Sequence, residues 1–198
     1  MGTDTFRMLD VSTYHGSTIA LLAILVFASW TDIQQHRIPN ILSLGGILLG
    51  TALHTQVSGF PGFATALAGA AVGIGILLPF YLRKGMGAGD VKLMGAVGAF
   101  LGPKVALRAT GLSLGAGGIL AFVILIRKGG LTDLLVRYFS TLKCLLLTGK
   151  LSHIPPKPGE VASVKFPYAT AIGIGTLETL WEMGALQGFT EFILSATM

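Results

Sequence analysis

Charged residues are scarce in this chain. Only 12% of its 198 residues are Asp, Glu, Lys or Arg, whereas 52% are hydrophobic, and the mean hydropathy is +0.74. This composition excludes a soluble globular domain and indicates a protein that crosses a membrane several times. Glycine is abundant, with 28 residues, and pairs spaced by four residues are typical of closely packed transmembrane helices. These pairs are Gly46/Gly50, Gly69/Gly73, Gly98/Gly102 and Gly111/Gly115.

Cysteine is almost absent as well. Cys144 is the only one, which excludes an internal disulfide bond and a zinc site built from four cysteines. His15, His54 and His153 fall at positions expected on different sides of the membrane. We therefore expect neither a bound metal nor any other cofactor.

Six apolar stretches approach the roughly 17 to 25 residues that a transmembrane helix needs. They lie at about 16–34, 40–57, 62–82, 90–103, 105–126 and 166–183. We predict an all-α fold, a bundle of about six transmembrane helices that forms one membrane-embedded domain over residues 1–198. The first stretch is interpreted as a retained helix, because acidic residues precede it and no small-residue cleavage site follows it.

The segment between the fifth and sixth stretches has a different pattern. Apolar residues recur at helical spacing over 130–149, which predicts an amphipathic helix on the cytoplasmic membrane surface. Three prolines at Pro155, Pro156 and Pro158 then predict a loop over 150–165.

Lysine and arginine are distributed asymmetrically over the ends of these stretches. If the N-terminus lies outside, only Arg7, Lys104 and Arg108 of the 14 basic residues are not cytoplasmic. The positive-inside rule therefore predicts a multi-pass protein of the inner (plasma) membrane in this orientation. Topology alone explains the net charge of +5. The expected partner is the lipid bilayer, and no nucleic acid is expected.

Two aspartates fall at the cytoplasmic ends of predicted helices. Asp32 ends the first stretch in "ASWTDIQQHRIPN", and Asp90 begins the fourth in "GMGAGDVKLMG". A carboxylate near hydrocarbon usually faces the interior of the bundle. Two adjacent carboxylates tend to hold one proton between them, which suits them to activate water and to protonate an amide leaving group. The pattern therefore predicts aspartic proteolysis, with Asp32 and Asp90 as the catalytic pair.

Neighbouring residues are candidates for binding the substrate. Gly87 and Gly89 lack the Cβ atom that would keep an extended substrate away from Asp90. Lys92 either binds substrate or acts on the charge of the pair, and it could equally be a positive-inside anchor. Alternative roles for the acids are a solvated helix end for Asp32 and a helix cap for Asp90.

The two segments resemble the signature of the type IV prepilin peptidases, which are membrane-embedded GxGD aspartic proteases. "TDIQQHRIPN" resembles the half in which an aspartate is followed by Ile-Pro-Asn, and "GAGDVKLMGAVGAFLG" resembles the Gly-x-Gly-Asp half. "KFPYATAIGIG" resembles the entry into the last helix of that family. The resemblance implies catalytic roles for Asp32 and Asp90. It also implies prepilin substrates with a short basic leader, a glycine before the cut and an apolar helix after it.

Departures from the family pattern narrow this expectation. Larger bifunctional members carry a zinc-binding insertion with paired CxxC motifs and also methylate the new N-terminus, whereas this chain has one cysteine. It resembles the short, peptidase-only form of Flp-type (tight-adherence) pilus systems. Thr31 precedes the first aspartate where presenilin-like GxGD proteases have tyrosine, and the chain has no Pro-Ala-Leu motif, so that branch is a secondary alternative.

Two other classes of protein share some of these features. A proton-coupled transporter would also use paired intramembrane acids, although no inverted repeat is visible here. A non-enzymatic scaffold for pilus assembly would tolerate Asp32→Ala and Asp90→Ala. The pattern does not predict the oligomeric state.

Overall fold

The computed structural model describes residues 3–127 and 167–185. The predicted surface helix over 130–149 and the proline-rich loop over 150–165 lie outside them. All regular elements in the described ranges are helices, which confirms the all-α prediction. They are α1 (Thr3–Gln35), α2 (Asn40–Leu82), α3 (Ala88–Leu101), α4 (Pro103–Arg127) and α5 (Tyr168–Glu182).

Three stretches of the described helices are long and apolar enough to cross a membrane. They are Gly16–Gln35, Asn40–Leu82 and Ala88–Arg127, of which the last joins α3 and α4. The helix boundaries agree with the predicted stretches to within a few residues, except that α1 begins earlier, at Thr3. The number of six membrane crossings stays a prediction.

The contacts divide the chain into two compact units. Residues up to Gly117 and residues from Pro167 onward form the first, and α4 from Gly118 belongs to the second. The contacts among α1, α2, α3, α5 and the part of α4 up to Gly117 lie within the first unit.

α2 reverses direction at Gly59. This helix has 43 residues, so it would be about 65 Å long if straight, roughly twice the ~30 Å hydrocarbon core of a bilayer. Gly59 has φ 62° and ψ −140°, a conformation that glycine adopts without steric cost. The break falls between the second and third predicted stretches. It divides α2 into two legs, residues 40–58 and residues 60–82.

The two legs of α2 pack on α3 in opposite directions. Along the first leg, Gly46 faces Ala96 and Gly50 faces Ala99. Along the second leg the order is reversed, because Gly69 faces Gly98 whereas the later Gly73 faces Met94. The first leg therefore runs parallel to α3 and the second runs antiparallel to it.

α3 is the central helix of the described structure. All residues from Asp90 to Phe100 are buried except Lys92, which is partly exposed. Leu93, Met94 and Val97 are completely buried and form one hydrophobic cluster with residues of the other four helices. Small residues permit this close packing, since a Cβ atom on Gly69 or Gly98 would collide with the backbone carbonyl of the other glycine.

The glycine pairs differ in whether they pack against another helix. Gly46/Gly50 and Gly69/Gly73 pack against α3, as expected. Gly102 ends α3 with φ 76° and also contacts Gly69. Gly111 and Gly115 of α4 have no atom within 4 Å of the space that a Cβ would occupy, so packing among the described helices does not account for this pair.

Candidate active site

Asp32 lies in the last turn of α1 and is 6% exposed. Its Oδ2 atom accepts a hydrogen bond of 3.0 Å from the backbone N–H of Ala169, in the first turn of α5. The carboxylate lies at the C-terminal end of its own helix, where the helix dipole is unfavourable for a negative charge. The N-terminus of α5 offsets this, because its first N–H groups have no partner within the helix.

Ala169 is held by α1 through a second contact. The Ser29 hydroxyl donates a hydrogen bond of 3.3 Å to the Ala169 carbonyl oxygen. Ser29 precedes Asp32 by three residues, so both side chains lie on the same face of α1. One residue of α5 is therefore fixed to α1 through both its N–H and its C=O.

Asp90 is the third residue of α3 and is 8% exposed. Its Oδ2 atom accepts a hydrogen bond of 3.2 Å from the backbone N–H of Gly87, the residue that caps the helix. Asp90 thus does cap α3, as one alternative interpretation of the sequence held. The bond uses one carboxylate oxygen and holds the side chain in place, so capping is compatible with a chemical role for Oδ1.

The structure brings Asp32 and Asp90 together. α1, α3 and α5 contact one another, and the two carboxylates are close enough for the charge on Asp32 to act on Asp90. Both are buried at the same end of the bundle, where α1 ends and α3 begins. A pair of buried carboxylates, each held by one backbone N–H, is suited to exchange protons with a substrate and a water molecule.

The turn Ile38–Pro39–Asn40 packs on the start of α3. A Cβ atom on Gly89 would lie 3.0 Å from the Cβ of Ile38, which is closer than two such carbons normally approach. The Lys92 ammonium donates a hydrogen bond of 3.0 Å to the Asn40 side-chain oxygen. The Ile-Pro-Asn segment and the Gly-x-Gly-Asp segment are therefore joined by direct contacts, which sequence reasoning did not foresee.

These contacts bear on the three residues predicted to bind substrate. Gly87 is exposed, and a Cβ atom there would lie 3.0 Å from the Asp90 Oδ2 atom. Gly89 leaves room for Ile38, which packs against it, and the Lys92 ammonium is hydrogen-bonded to the Asn40 side chain. Each residue has a role inside the protein, and contact with substrate stays a prediction for all three.

Tyr168 is a site residue that sequence reasoning did not single out. It is the first residue of α5 and immediately precedes Ala169, and the charge of Asp90 acts on its phenol group. The phenol hydroxyl donates a hydrogen bond of 3.3 Å to the Ser113 carbonyl oxygen of α4. The segment "KFPYATAIGIG" predicts only the entry to a helix, and nothing in it indicates that its tyrosine lies near Asp90.

In the described part of the chain, no three or more His, Cys, Asp or Glu side chains are grouped so that they could hold a metal ion. His54, the histidine of the second stretch, is engaged elsewhere: its Nε2 atom lies 2.8 Å from the Phe100 carbonyl oxygen near the end of α3. The chemistry that the described site offers is that of two carboxylates.

The chain matches one protein family over more than half of its length. The sequence profile of the type IV leader peptidase family matches residues 19–132, a range that includes both aspartates. A prepilin leader peptidase/N-methyltransferase of Aeromonas hydrophila is 34% identical over 96 residues, which are 44% of this chain and 33% of that protein. The match thus spans about a third of the length of this curated relative. No solved structure matches the chain.

Proposed function

Because the chain belongs to the type IV leader peptidase family, we propose that it is an aspartic endopeptidase. It removes the short basic leader from type IV prepilins, of the Flp-like class, at the cytoplasmic face of the inner membrane. The observation that carries this proposal is the buried pair of Asp32 and Asp90 at the junction of α1, α3 and α5.

In this mechanism the pair holds one proton between its two carboxylates. The ionised carboxylate takes a proton from water as the water oxygen attacks the scissile carbonyl carbon. The protonated carboxyl donates its proton to the carbonyl oxygen, and a proton then passes to the amide nitrogen as the C–N bond breaks. The N–H groups of Ala169 and Gly87 hold one oxygen of each carboxylate, which leaves the other oxygen of each for these transfers.

The distribution of basic residues supports a cytoplasmic site. Arg37, Arg83 and Lys84 are exposed at the end of the bundle that carries the aspartates. Lys104 and Arg108 follow the opposite end of α3, and Arg108 forms an ion pair with Glu182 at the end of α5. The end with more positive charge is the one that remains in the cytoplasm.

We propose peptidase activity without methyl transfer. The relative from Aeromonas hydrophila is named for both activities, but the match spans a third of it. The single cysteine of this chain cannot form the paired CxxC zinc motifs that the bifunctional members carry.

The direct test is to incubate the purified protein, in detergent or liposomes, with Flp-like prepilins and to locate the cut by mass spectrometry. We expect loss of the leader after its terminal glycine, without a methyl group on the new N-terminus. Intact prepilins together with a proton flux across liposomes that depends on Asp32 and Asp90 would support the transporter instead.

Chelation should not affect the reaction. We expect EDTA to leave the cleavage rate unchanged, because the site is built from two carboxylates and the chain has one cysteine. The measurement compares initial rates in EDTA, in buffer alone and after zinc is added back. A strong loss in EDTA that zinc restores would contradict a metal-independent mechanism.

Gly89→Ala should lower cleavage per folded molecule by at least about 10-fold, since a misplacement of about 1 Å can cost about 100-fold. The added methyl group would push against Ile38 and displace the start of α3, which carries Asp90. The matched control is Gly85→Ala in the loop just before α3, where the nearest atom is the Phe80 carbonyl oxygen at 3.4 Å. Equal specific activities of the two variants would refute this reason for the glycine.

A further inference from the structure

The first turn of α5 is held from two sides. On one side, the Tyr168 hydroxyl donates to the Ser113 carbonyl oxygen of α4 at 3.3 Å. On the other side, the next residue, Ala169, donates its N–H to Asp32 at 3.0 Å and accepts from the Ser29 hydroxyl. The direction of the N–H group that binds Asp32 therefore depends on where this turn is fixed.

α4 provides space for the Tyr168 ring. A Cβ atom on Gly117 would overlap the ring at Cε2 and lie 3.1 Å from Cζ, so any larger residue at position 117 would displace the ring. Gly117 is buried, and it follows Ser113 by one helical turn, so both contacts with Tyr168 come from one face of α4. The tyrosine thus contacts α4 through both its hydroxyl and its ring.

Tyr168 is also near the other aspartate, since the charge of Asp90 acts on its phenol group. Its hydroxyl and ring contact α4, and its phenol group lies within electrostatic range of Asp90. The tyrosine side chain is a rigid group with two rotatable bonds, so holding it costs little conformational entropy compared with a flexible side chain.

We propose that Tyr168 is a positioning residue of the carboxylate pair. By seating the first turn of α5 against α4, it directs the Ala169 N–H toward Asp32 and so orients that carboxylate with respect to Asp90. Helix termini fray readily when nothing holds them, and an N–H···carboxylate bond is strong only while its geometry is kept. This inference rests on the proposed peptidase function.

The first experiment replaces the tyrosine. Tyr168→Ala should lower kcat by about 10- to 100-fold, the loss that misplacing a catalytic group by about 1 Å causes, with little change in KM. Tyr168→Phe keeps the ring over Gly117 and should recover most of the rate. The pH–rate profile of Tyr168→Ala should also be displaced, because the Asp32 carboxylate loses a hydrogen bond. A general loss of folded enzyme would lower the rate equally at every pH.

The second experiment changes the residue of α4 that packs against the tyrosine ring. Gly117→Ala should reproduce the loss of kcat and the displaced pH profile, because its methyl group collides with the ring. Gly115→Ala is the matched control, since it lies on the same helix and no atom is within 4 Å of the added carbon. If Tyr168→Ala does not fold, the Gly117→Ala and Gly115→Ala pair decides the question.

The outcomes separate this inference from the proposed function. Wild-type kcat and pH profile in Tyr168→Ala, or in Gly117→Ala where the first variant does not fold, would overturn the positioning role while leaving the peptidase intact. No cleavage of any prepilin by the wild-type protein would instead refute the proposed function on which this inference rests.

Discussion

Replacing either Asp32 or Asp90 by asparagine is expected to abolish leader removal while the protein still inserts and accumulates. The amide has the shape of the carboxylate, and its oxygen can still accept the hydrogen bond from Ala169 or Gly87. It cannot exchange a proton, so the rate should fall by about 100- to 10,000-fold, the factor that general acid–base catalysis contributes.

The measurement is cleavage of a prepilin per unit of monodisperse, membrane-extracted enzyme. Glu178→Gln is a suitable control, because Glu178 is an exposed acid of α5 about two and a half helical turns from Asp32's partner Ala169. Wild-type rates in both aspartate variants would exclude the aspartic mechanism. Loss of activity in only one of them would show that the other carboxylate is not part of the reaction.

Gly69→Ala and Gly98→Ala should each sharply lower the yield of folded protein. Each added carbon would collide with the backbone carbonyl of the opposite glycine, and backbone cannot rotate away as a side chain can. Overpacking of this kind costs on the order of 1–3 kcal/mol, and sometimes more. The result is measured as the amount and the thermal stability of monodisperse protein in detergent.

Two control positions lie on α2, one on each of its legs. Gly45→Ala and Gly75→Ala place a methyl group where no atom is within 4 Å, so both should accumulate like the wild type. Any folded fraction of the Gly69 and Gly98 variants should keep nearly normal specific activity, unlike Gly89→Ala. Equal yields for all four variants would contradict the close packing of α2 on α3.

Apart from the start of α1 at Thr3, the helices and their ends could be predicted from the sequence because the apolar stretches are long and their boundaries are marked by Pro, Gly and charge. Asp32 and Asp90 could be paired for the same reason, since both lie at helix ends on one predicted side. These are local properties of the chain.

Apart from the local cap between Gly87 and Asp90, the contacts that build the site could not be predicted, because they join distant residues. The bond from Ala169 to Asp32 spans 137 positions, and no local pattern indicates it. The Gly111/Gly115 pair has the same spacing as Gly69/Gly73, yet only the second pair meets another helix among the described residues. Spacing shows that a close approach is possible, whereas only the tertiary structure shows whether a neighbour is present.

The reversal at Gly59 also bears on how the protein is synthesised. The ribosome delivers α2 as 43 residues without an Asp, Glu, Lys or Arg among them. We expect the two legs to enter the bilayer as one hairpin. Phe60 and Phe63 stack just after its tip at a centroid separation of 6.2 Å. The positive-inside rule then predicts that Arg37 and Arg83, which flank the hairpin, are retained on the same side in a single insertion step. On this expectation, the orientation of α3, and with it the side of the membrane on which Asp90 lies, is fixed before α3 has been inserted.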